Sequence, residues 1–351
     1  MATLKDILAV ATRRGASDVV LVSESAPFMR VEGEWLPVPS IDRSAFDSET
    51  TVLSLIPEDR LAVMRDEREM NFSRELPPFG RLRFNLHYQR GSPAATIRLI
   101  WPTVRSIDEL ELPRALPEAA LRHQGLILVC GRAGSGKSTT LAAIVQYILS
   151  KRRAHVITIE DPIEYVHGNG QGVCEQRELH SDTLSWDAAL KNVLRQSPDV
   201  IVIGELQDRA SIATAVSAAE TGHLVLASLH AQNAVQCVTR IVDSFPGDQQ
   251  PQIRVQLANS LVAVLAQELV PSTREGGRVL ATEFMLVNPA IRNLIRSNEY
   301  AQIHNAILTG RGVGMHTLQD SLEQHLARKT ISEQEMLCRL TDSRLACAVG
   351  A

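Results

Sequence analysis

The sequence predicts an α/β protein with a mixed α/β domain over 1–100, a linker over 101–118 and a second α/β domain over 119–345. Three observations lead to this prediction. A chain of 351 residues is long enough for two domains. Strand and helix patterns alternate after residue 119, which is typical of a parallel sheet covered by helices. A complete G-x-x-x-x-G-K-S motif lies between one such strand and the helix that follows.

The first hundred residues mix helix and strand patterns without regular alternation. Residues 80–100 alternate polar and apolar side chains, which indicates strands with one face on a core. Pro57 suits the first position of a helix, because its fixed φ angle is already helical there. In chain order the predicted elements are a helix over 4–14, strands over 19–22 and 28–38 with a turn at 32–34, helices over 44–56 and 57–68, and strands over 80–91 and 94–100.

Four apolar runs in the second domain are predicted as strands that are buried on both faces. They cover 126–130, 155–159, 200–203 and 224–228, and the polar sequences GRAGSGKS, EDPIE, GELQD and LHAQN follow them directly. Ligands of parallel α/β sheets bind at the carboxyl ends of the strands. We therefore expect the four polar sequences to meet at one edge of the sheet. After about residue 250 the pattern predicts helices only, to roughly residue 340.

The sequence GRAGSGKS, from Gly131 to Ser138, predicts a site for the phosphates of a nucleoside triphosphate. A glycine-rich turn that enters a helix presents backbone N–H groups and the positive end of the helix dipole to an anion. Lys137 adds a positive charge for the outer phosphates, and Ser138 offers its hydroxyl to Mg²⁺. The residues predicted to bind the nucleotide are Gly131, Gly134, Ser135, Gly136, Lys137, Ser138 and Thr139.

Carboxylates that follow the buried strands are the candidates for binding the metal and activating water. Glu205 ends the sequence PDVIVIGE and is predicted to bind Mg²⁺ together with Ser138. The sequence EDPIE contains Glu160, Asp161 and Glu164, one of which is expected to act as the general base. The residue pattern does not select among these three carboxylates.

Histidines and arginines complete the set of candidate site residues. His223 and His230 flank the last predicted strand, and one of them is expected to sense the γ-phosphate or to contact a neighbouring subunit. Metal binding by this pair is not expected, because the two are seven residues apart and lack a third soft ligand. Arginines of the first domain would stabilise transition-state charge in another subunit's site if the two met. These arginines are Arg81, Arg83, Arg90 and Arg98.

Composition and charge argue against several classes of protein. Hydrophobic residues make up 44% of the chain and charged residues 22%, which is typical of a soluble globular protein. The net charge of −4 shows no basic excess, and no nucleic-acid partner is expected. The five cysteines contain no C-x-x-C pair, which argues against a zinc ribbon and favours a reducing compartment. We find no signal peptide or membrane-spanning apolar run and expect a cytoplasmic protein.

The motifs together resemble those of the PilT/PilU-type retraction ATPases of type IV pili, which belong to the secretion ATPase superfamily. The matching sequences are GSGKSTT, TIEDPIEYVH, PDVIVIGE, AAETGHLVLASLHAQNA and PAIRNLIR. This resemblance implies a PAS-like N-terminal domain, a RecA-like ATPase domain with C-terminal helices, and assembly into a homohexamer. It also implies ATP and Mg²⁺ as cofactors, and docking on an inner-membrane pilus platform protein from the cytoplasmic side. The implied function is an ATP-hydrolysing motor for pilus retraction and twitching motility.

The resemblance also implies roles for individual residues. The catalytic glutamate of the family's Asp box falls on Glu164, and its Walker B glutamate falls on Glu205. The histidines of its His box fall on His223 and His230. The N-domain arginines that reach nucleotide lie among the four named above. The residues that we expect to be catalytic are Arg83, Arg98, Glu164, Glu205 and His230.

Two positions depart from the usual pattern of this family. Gln207 stands where the family commonly has arginine, and the loss of a charge beside Glu205 would slow hydrolysis or change its coupling. Ser297 stands where the retraction signature usually ends in glutamate. The sequences LKNVLRQSPDV and LHAQNA look closer to PilU, whereas AIRNLIR looks closer to PilT.

Two other functions fit the same motifs. One is an accessory nucleotide-binding ring that supports a paralogous retraction motor and hydrolyses little ATP itself. The presence of Gln207 in place of arginine supports this alternative. The other is a type IV secretion ATPase or a DNA translocase on the same core. The net charge and the AIRNLIR sequence argue against this last function.

Overall fold

The structure is a computed structural model that divides into two compact units. One unit comprises Met1–Thr103 with Pro162–Val166, and the other comprises Val104–Asp161 with His167–Ala351. The described residues are 2–31, 33–39, 41, 46–100, 104–273 and 277–348, without the side chains of Asp59 and of 341–348. Parts of three predictions lie outside these residues, namely Glu32 of the turn, 44–45 of the helix and 101–103 of the linker.

The described part of the first unit contains an antiparallel sheet and three α-helices. In chain order its described elements are α1 (Leu4–Arg13), β1 (Asp18–Leu21), β2 (Phe28–Val31), β3 (Glu34–Pro37), α2 (Ser48–Leu55), a 3₁₀ turn (Glu58–Arg60), α3 (Leu61–Glu67), β4 (Glu69–Glu75), β5 (Arg81–Gln89) and β6 (Ser92–Leu99). The strands follow the order β3-β2-β1-β6-β5-β4, and all neighbours are antiparallel.

The core of the first unit lies between the sheet and its helices. Leu82, Phe84 and Leu86 on β5 are fully buried, as the predicted alternation along this strand requires. They share one core cluster with Ile7 and Leu8 of α1. The sequence did not predict β4, because its sequence EMNFSRE is mostly polar and has too few apolar residues to show a period.

The second unit alternates strands and helices around a larger sheet. Its described elements are α4 (Leu116–Ala120), β7 (Gly125–Cys130), α5 (Lys137–Lys151), β8 (His155–Glu160), β9 (Val173–Glu178), α6 (Trp186–Val193), β10 (Val200–Ile203), α7 (Arg209–Glu220), β11 (Leu224–Leu229), α8 (Ala234–Asp243), α9 (Gln250–Ser260), β12 (Leu261–Pro271), β13 (Arg278–Leu286), α10 (Pro289–Arg296), α11 (Ile303–Thr309), α12 (Leu318–Ala327) and α13 (Glu333–Ala348), with 3₁₀ turns at Tyr300–Gln302 and Gly310–Val313. None of the described helices has the length and apolar character needed to cross a membrane.

The large sheet confirms the four predicted strands and their parallel arrangement. Its order is β13-β12-β7-β11-β10-β8-β9, and β12 and β13 form its antiparallel pair. Every residue of β7, β10 and β11 is buried, because helices cover both faces of the sheet. The carboxyl ends of β7, β11, β10 and β8 therefore lie along one edge, which we call the loop edge. The edge at their amino ends is called the opposite edge.

The prediction of helices only after about residue 250 is wrong, because β12 and β13 occupy much of this segment. The apolar run at the start of β12 is buried on both faces. Periodicity cannot distinguish such a run from a buried helix, and its alanines and leucines favour helix locally. The segment expected as a linker also contributes to this unit, since Ile107, Leu112 and Leu116 are buried in the core beside α5.

Candidate active site

The glycine-rich segment 131–136 forms a tight loop between β7 and α5. Gly131, Gly134 and Gly136 have φ angles of 155°, 76° and 90°, which residues with a Cβ atom rarely adopt. A Cβ atom on Gly131 would lie 2.4 Å from Ser135 Oγ and 2.5 Å from the main-chain oxygen of Gln267. Only glycine fits at this first position, and a bare backbone can approach an anion closely.

Gln267 on β12 supports this loop, although the sequence did not predict it as a site residue. Its side chain is buried, and its Nε2 donates a hydrogen bond of 2.7 Å to the main-chain oxygen of Ser135. A Cβ atom on Gly136 would lie 3.3 Å from the same Nε2, so the amide packs directly against the loop. A signal was present in the sequence, because a lone amide in the apolar run VAVLAQELV must find a hydrogen-bond partner once buried.

Lys137 is the first residue of α5, so its charge lies at the positive end of that helix. Its Nζ donates hydrogen bonds of 3.0 Å and 3.1 Å to the main-chain oxygens of Gly131 and Arg132. Ser138 and Thr139 follow in the first turn and are half-buried. The first N–H groups of a helix have no acceptor within the helix. Loop, lysine and helix start therefore form one cradle with the charge and the donors that phosphate requires.

Glu205 and His230 come together at the loop edge, where they follow β10 and β11. His230 Nε2 lies 2.8 Å from Glu205 Oε1, and Gln207 Nε2 donates a hydrogen bond of 3.4 Å to the other carboxylate oxygen. Arg240 Nη1 donates a hydrogen bond of 2.7 Å to the main-chain oxygen of His230. The Glu205 side chain is 32% exposed. The carboxylate is thus oriented by its neighbours and still accessible to a ligand.

The three carboxylates of EDPIE have different surroundings. Glu160 Oε1 accepts hydrogen bonds of 2.7 Å from Thr158 Oγ1 and 3.0 Å from Gln176 Nε2. Asp161 and Glu164 are exposed. Glu164 belongs to Pro162–Val166, a segment that groups with the first unit. The catalytic role of Glu164 stays a prediction.

Arg83 and Arg98 lie directly opposite each other on β5 and β6. Arg98 Nε donates a hydrogen bond of 2.9 Å to Asp18 Oδ1, and the Arg98 side chain is 56% exposed. Two like charges on facing positions of a sheet repel each other unless an anion lies nearby. Asp18 supplies one negative charge for this pair of guanidinium groups. The action of either arginine on a nucleotide stays a prediction.

His223 lies at the opposite edge of the sheet, away from the phosphate loop. It precedes β11, and its Nδ1 lies 3.1 Å from the main-chain oxygen of Ala218. Six strand residues separate it from His230, which corresponds to about 20 Å along an extended chain. Of the two histidines considered as a sensor of phosphate, the structure places only His230 at the loop edge.

The fold is shared with known proteins. The chain matches the family model of type II/IV secretion system proteins over residues 106–338. It is 40% identical to a twitching motility protein of Neisseria gonorrhoeae over 317 residues, which cover 90% of this chain and 85% of that protein. It is 36% identical to the type IV pilus ATPase PilU of Pseudomonas aeruginosa strain PAO1 over 348 residues, 98% of this chain and 91% of PilU. A crystal structure of the pilus retraction motor PilT with bound ADP superposes with a TM-score of 0.90 at 37% identity, over 96% of each chain.

Proposed function

The chain belongs to the family of type II/IV secretion system proteins, and we propose that this ATPase is a ring-forming motor that powers retraction of type IV pili. The observation that carries the proposal is the phosphate cradle beside the Glu205–His230 pair. This arrangement lies in a chain that superposes on a pilus retraction motor over 96% of its length. The process that such a motor drives is twitching motility.

The phosphate cradle is proposed to bind ATP through its backbone and one lysine. The N–H groups of the loop and of the α5 start would donate to phosphate oxygens. Lys137 already lies at the mouth of the loop, where its ammonium bonds two main-chain oxygens. That position would bring its charge to the outer phosphates, where negative charge develops during hydrolysis.

Ser138 and Glu205 are proposed to hold Mg²⁺ together with the nucleotide phosphates. Both offer the hard oxygen atoms that this ion prefers. In the described part of the chain, no group of three His, Cys, Asp or Glu side chains could hold a metal ion. A site with few protein ligands fits Mg²⁺, which usually keeps several waters and binds substrate phosphates. Mg²⁺ would neutralise charge on the phosphates, and His230 would keep the Glu205 carboxylate oriented.

A second set of residues is proposed to complete the site. Glu164 would accept a proton from the attacking water, as the family pattern implies. Arg83 and Arg98 would stabilise the γ-phosphoryl charge in a neighbouring subunit of a homohexamer. The ring would act at the cytoplasmic face of the inner membrane, where its partner would be the pilus platform protein. A paralogous pilus ATPase is a further proposed partner.

The proposal is tested by steady-state ATP turnover of the purified ring. Glu164→Gln removes the proposed base and keeps the shape of the side chain, so turnover is expected to fall by about 100-fold or more. Binding of ATP should stay near the wild-type level. Asp161→Asn is the matched control, because it neutralises an exposed carboxylate three residues away. Normal turnover in Glu164→Gln together with an inactive Asp161→Asn would contradict the assignment of the base.

One observation favours a second function, an accessory ring beside a paralogous motor. Gln207 contacts the Glu205 carboxylate where the family commonly has arginine, so the site lacks one positive charge. Under this second function wild-type turnover would be very low and Gln207→Arg would raise it. A wild-type ring that hydrolyses ATP readily, with no gain in Gln207→Arg, supports the motor itself.

A further inference from the structure

A cavity of about 590 Å³ lies in the second unit at the opposite edge of the large sheet. Its lining includes the residues just before β7, the end of α7, the end of α9 and one residue of α10. Strand β7 has six residues, which places the cavity about 20 Å from the phosphate loop. The volume falls in the range of ordinary ligand sites, and the active site described above does not use this cavity.

Arg292 of α10 lines this cavity. Its Nε is buried and has no hydrogen-bond partner, and the described residues provide no ion pair for its guanidinium. Arg292 belongs to the sequence PAIRNLIR. The next arginine in that sequence, Arg296, is engaged through a hydrogen bond of 2.6 Å from its Nη2 to Asn259 Oδ1. Protein atoms cover the Arg292 Nε, so a ligand in the cavity would meet the other N–H groups of the half-buried guanidinium. A bound anion there would offset the cost of burying part of the charge without an ion pair.

The charges around the cavity favour an anion. Arg122 and Arg292 both line it, and the described residues give neither guanidinium an ion pair. Glu220 is the carboxylate in the lining, and its Oε2 already accepts a hydrogen bond of 2.8 Å from Gln256 Nε2. His123 is held at its Nδ1 by Arg152 Nη2 at 3.3 Å. The two arginines and Glu220 together carry a formal charge of +1, and neither arginine has an ion pair among the described residues.

The kinds of side chain in the lining favour a carboxylate ligand over a nucleotide. Among the described lining residues none is Phe, Tyr or Trp, and the imidazole of His123 is the one aromatic ring in the lining, so a base would find little surface on which to stack. Gln124 and Asn259 instead offer amide groups, which can pair with a peptide backbone. An arginine fork matches the two oxygens of a carboxylate. The lining thus suits an acidic peptide.

We propose that this cavity binds a carboxylate of a partner polypeptide, through the guanidinium groups of Arg292 and Arg122. The carboxylate is a Glu or Asp side chain or a chain terminus. The site lies at the edge of the sheet that the nucleotide does not use, so the ring would hold its partner and its nucleotide at separate places. This proposal goes beyond the proposed function, and its binding test has no readout from ATP hydrolysis or pilus retraction, so the two proposals can fail separately.

The test uses the full-length ring with ADP and a fluorescein-labelled hexaglutamate peptide in about 150 mM salt, where surface charges are largely screened. Fluorescence anisotropy should show binding to the wild-type ring. Arg292→Gln and, separately, Arg122→Gln should each weaken binding by about 10-fold or more, because each removes a charged hydrogen-bond donor. Arg195→Gln is the matched control, because Arg195 lies in the turn after α6 and does not line the cavity, and it should bind like the wild type. A hexaglutamate peptide with an amidated C-terminus lacks the terminal carboxylate, and a hexaglutamine peptide lacks the side-chain carboxylates. Comparing their binding shows which carboxylate the cavity holds.

Three outcomes would overturn the proposal. Equal binding by the wild type, Arg292→Gln and Arg122→Gln would place the peptide elsewhere. Displacement of the peptide by pyrophosphate at lower concentrations than by free glutamate would make the cavity a phosphate site. A change in the mass of the ring in Arg122→Gln would make it a contact between copies of this chain. Since Arg122 is exposed, its substitution is not expected to disturb folding.

Discussion

Replacement of Gln267 by leucine tests whether β12 positions the phosphate loop. The side chain is buried and donates a hydrogen bond of 2.7 Å to the main-chain oxygen of Ser135. Leucine is similar in size and leaves that oxygen without its donor, which costs about 1 to 3 kcal/mol. Gln267 Oε1 is itself buried without a hydrogen-bond partner. Its removal is favourable and offsets part of the free energy lost at the Ser135 oxygen. The net effect on the loop should be about 1 to 2 kcal/mol, which weakens ATP binding by roughly 5- to 30-fold.

The assay is titration of Gln267→Leu with a fluorescent ATP analogue, beside a thermal unfolding curve of the same sample. Gln267→Glu sharpens the test, since its carboxylate would face the Ser135 oxygen and repel phosphate, and its affinity should fall further than that of the leucine variant. Gln256→Leu serves as the matched control, because Gln256 donates an amide hydrogen bond at the opposite edge. If Gln267→Leu unfolds at a lower temperature but binds ATP within twofold of the wild type, Gln267 only packs the core and the reasoning is refuted.

Two further predictions concern histidines. His230→Ala frees the Glu205 carboxylate, and loss of such an orienting partner typically costs about 10- to 100-fold in metal affinity or activity. Titration of ATP turnover with Mg²⁺ measures this loss. His223→Ala, at the opposite edge, is the control and should behave like the wild type. Burial lowers the pKa of His167 from 6.5 to about 4, so between these pH values the unfolded chain binds more protons than the folded one. The free energy of unfolding is therefore not reduced by this histidine above about pH 6.5. It falls as the pH drops, and at pH 5 it is about 2 kcal/mol lower than at high pH. Urea unfolding at pH 7 and pH 5 should show this loss in the wild type and less of it in His167→Gln, and equal losses would contradict the assignment.

The geometry of the phosphate loop follows directly from local sequence. The loop at 131–136 has three glycines with positive φ angles, and this requirement is visible in the spacing of the motif. Glu205 and His230 are candidates because each follows a buried strand, and their roles stay predictions. Their contact at 2.8 Å depends on the neighbouring positions of β10 and β11, which the sequence implies only through the parallel-sheet rule.

The parts that were missed depend on contacts between distant segments. β12 reads as a helix from its own residues, and only its pairing with β7 and β13 makes it a strand. Gln267 could not be placed at the loop until this strand was known. Likewise, β9 is largely polar and pairs only with β8 at the edge of the sheet, so it shows little apolar period.

The most direct test of the central claim is the retraction of individual pili in cells from which the gene for this chain has been deleted. Such cells should keep their pili extended, and the wild-type chain should restore retraction of labelled pili or of beads attached to them. Lys137→Ala should form the ring but restore no retraction, because it removes the charge that meets the outer phosphates. Retraction at the wild-type rate in the deleted cells, or equal rescue by Lys137→Ala, would contradict the account of this chain as the retraction motor.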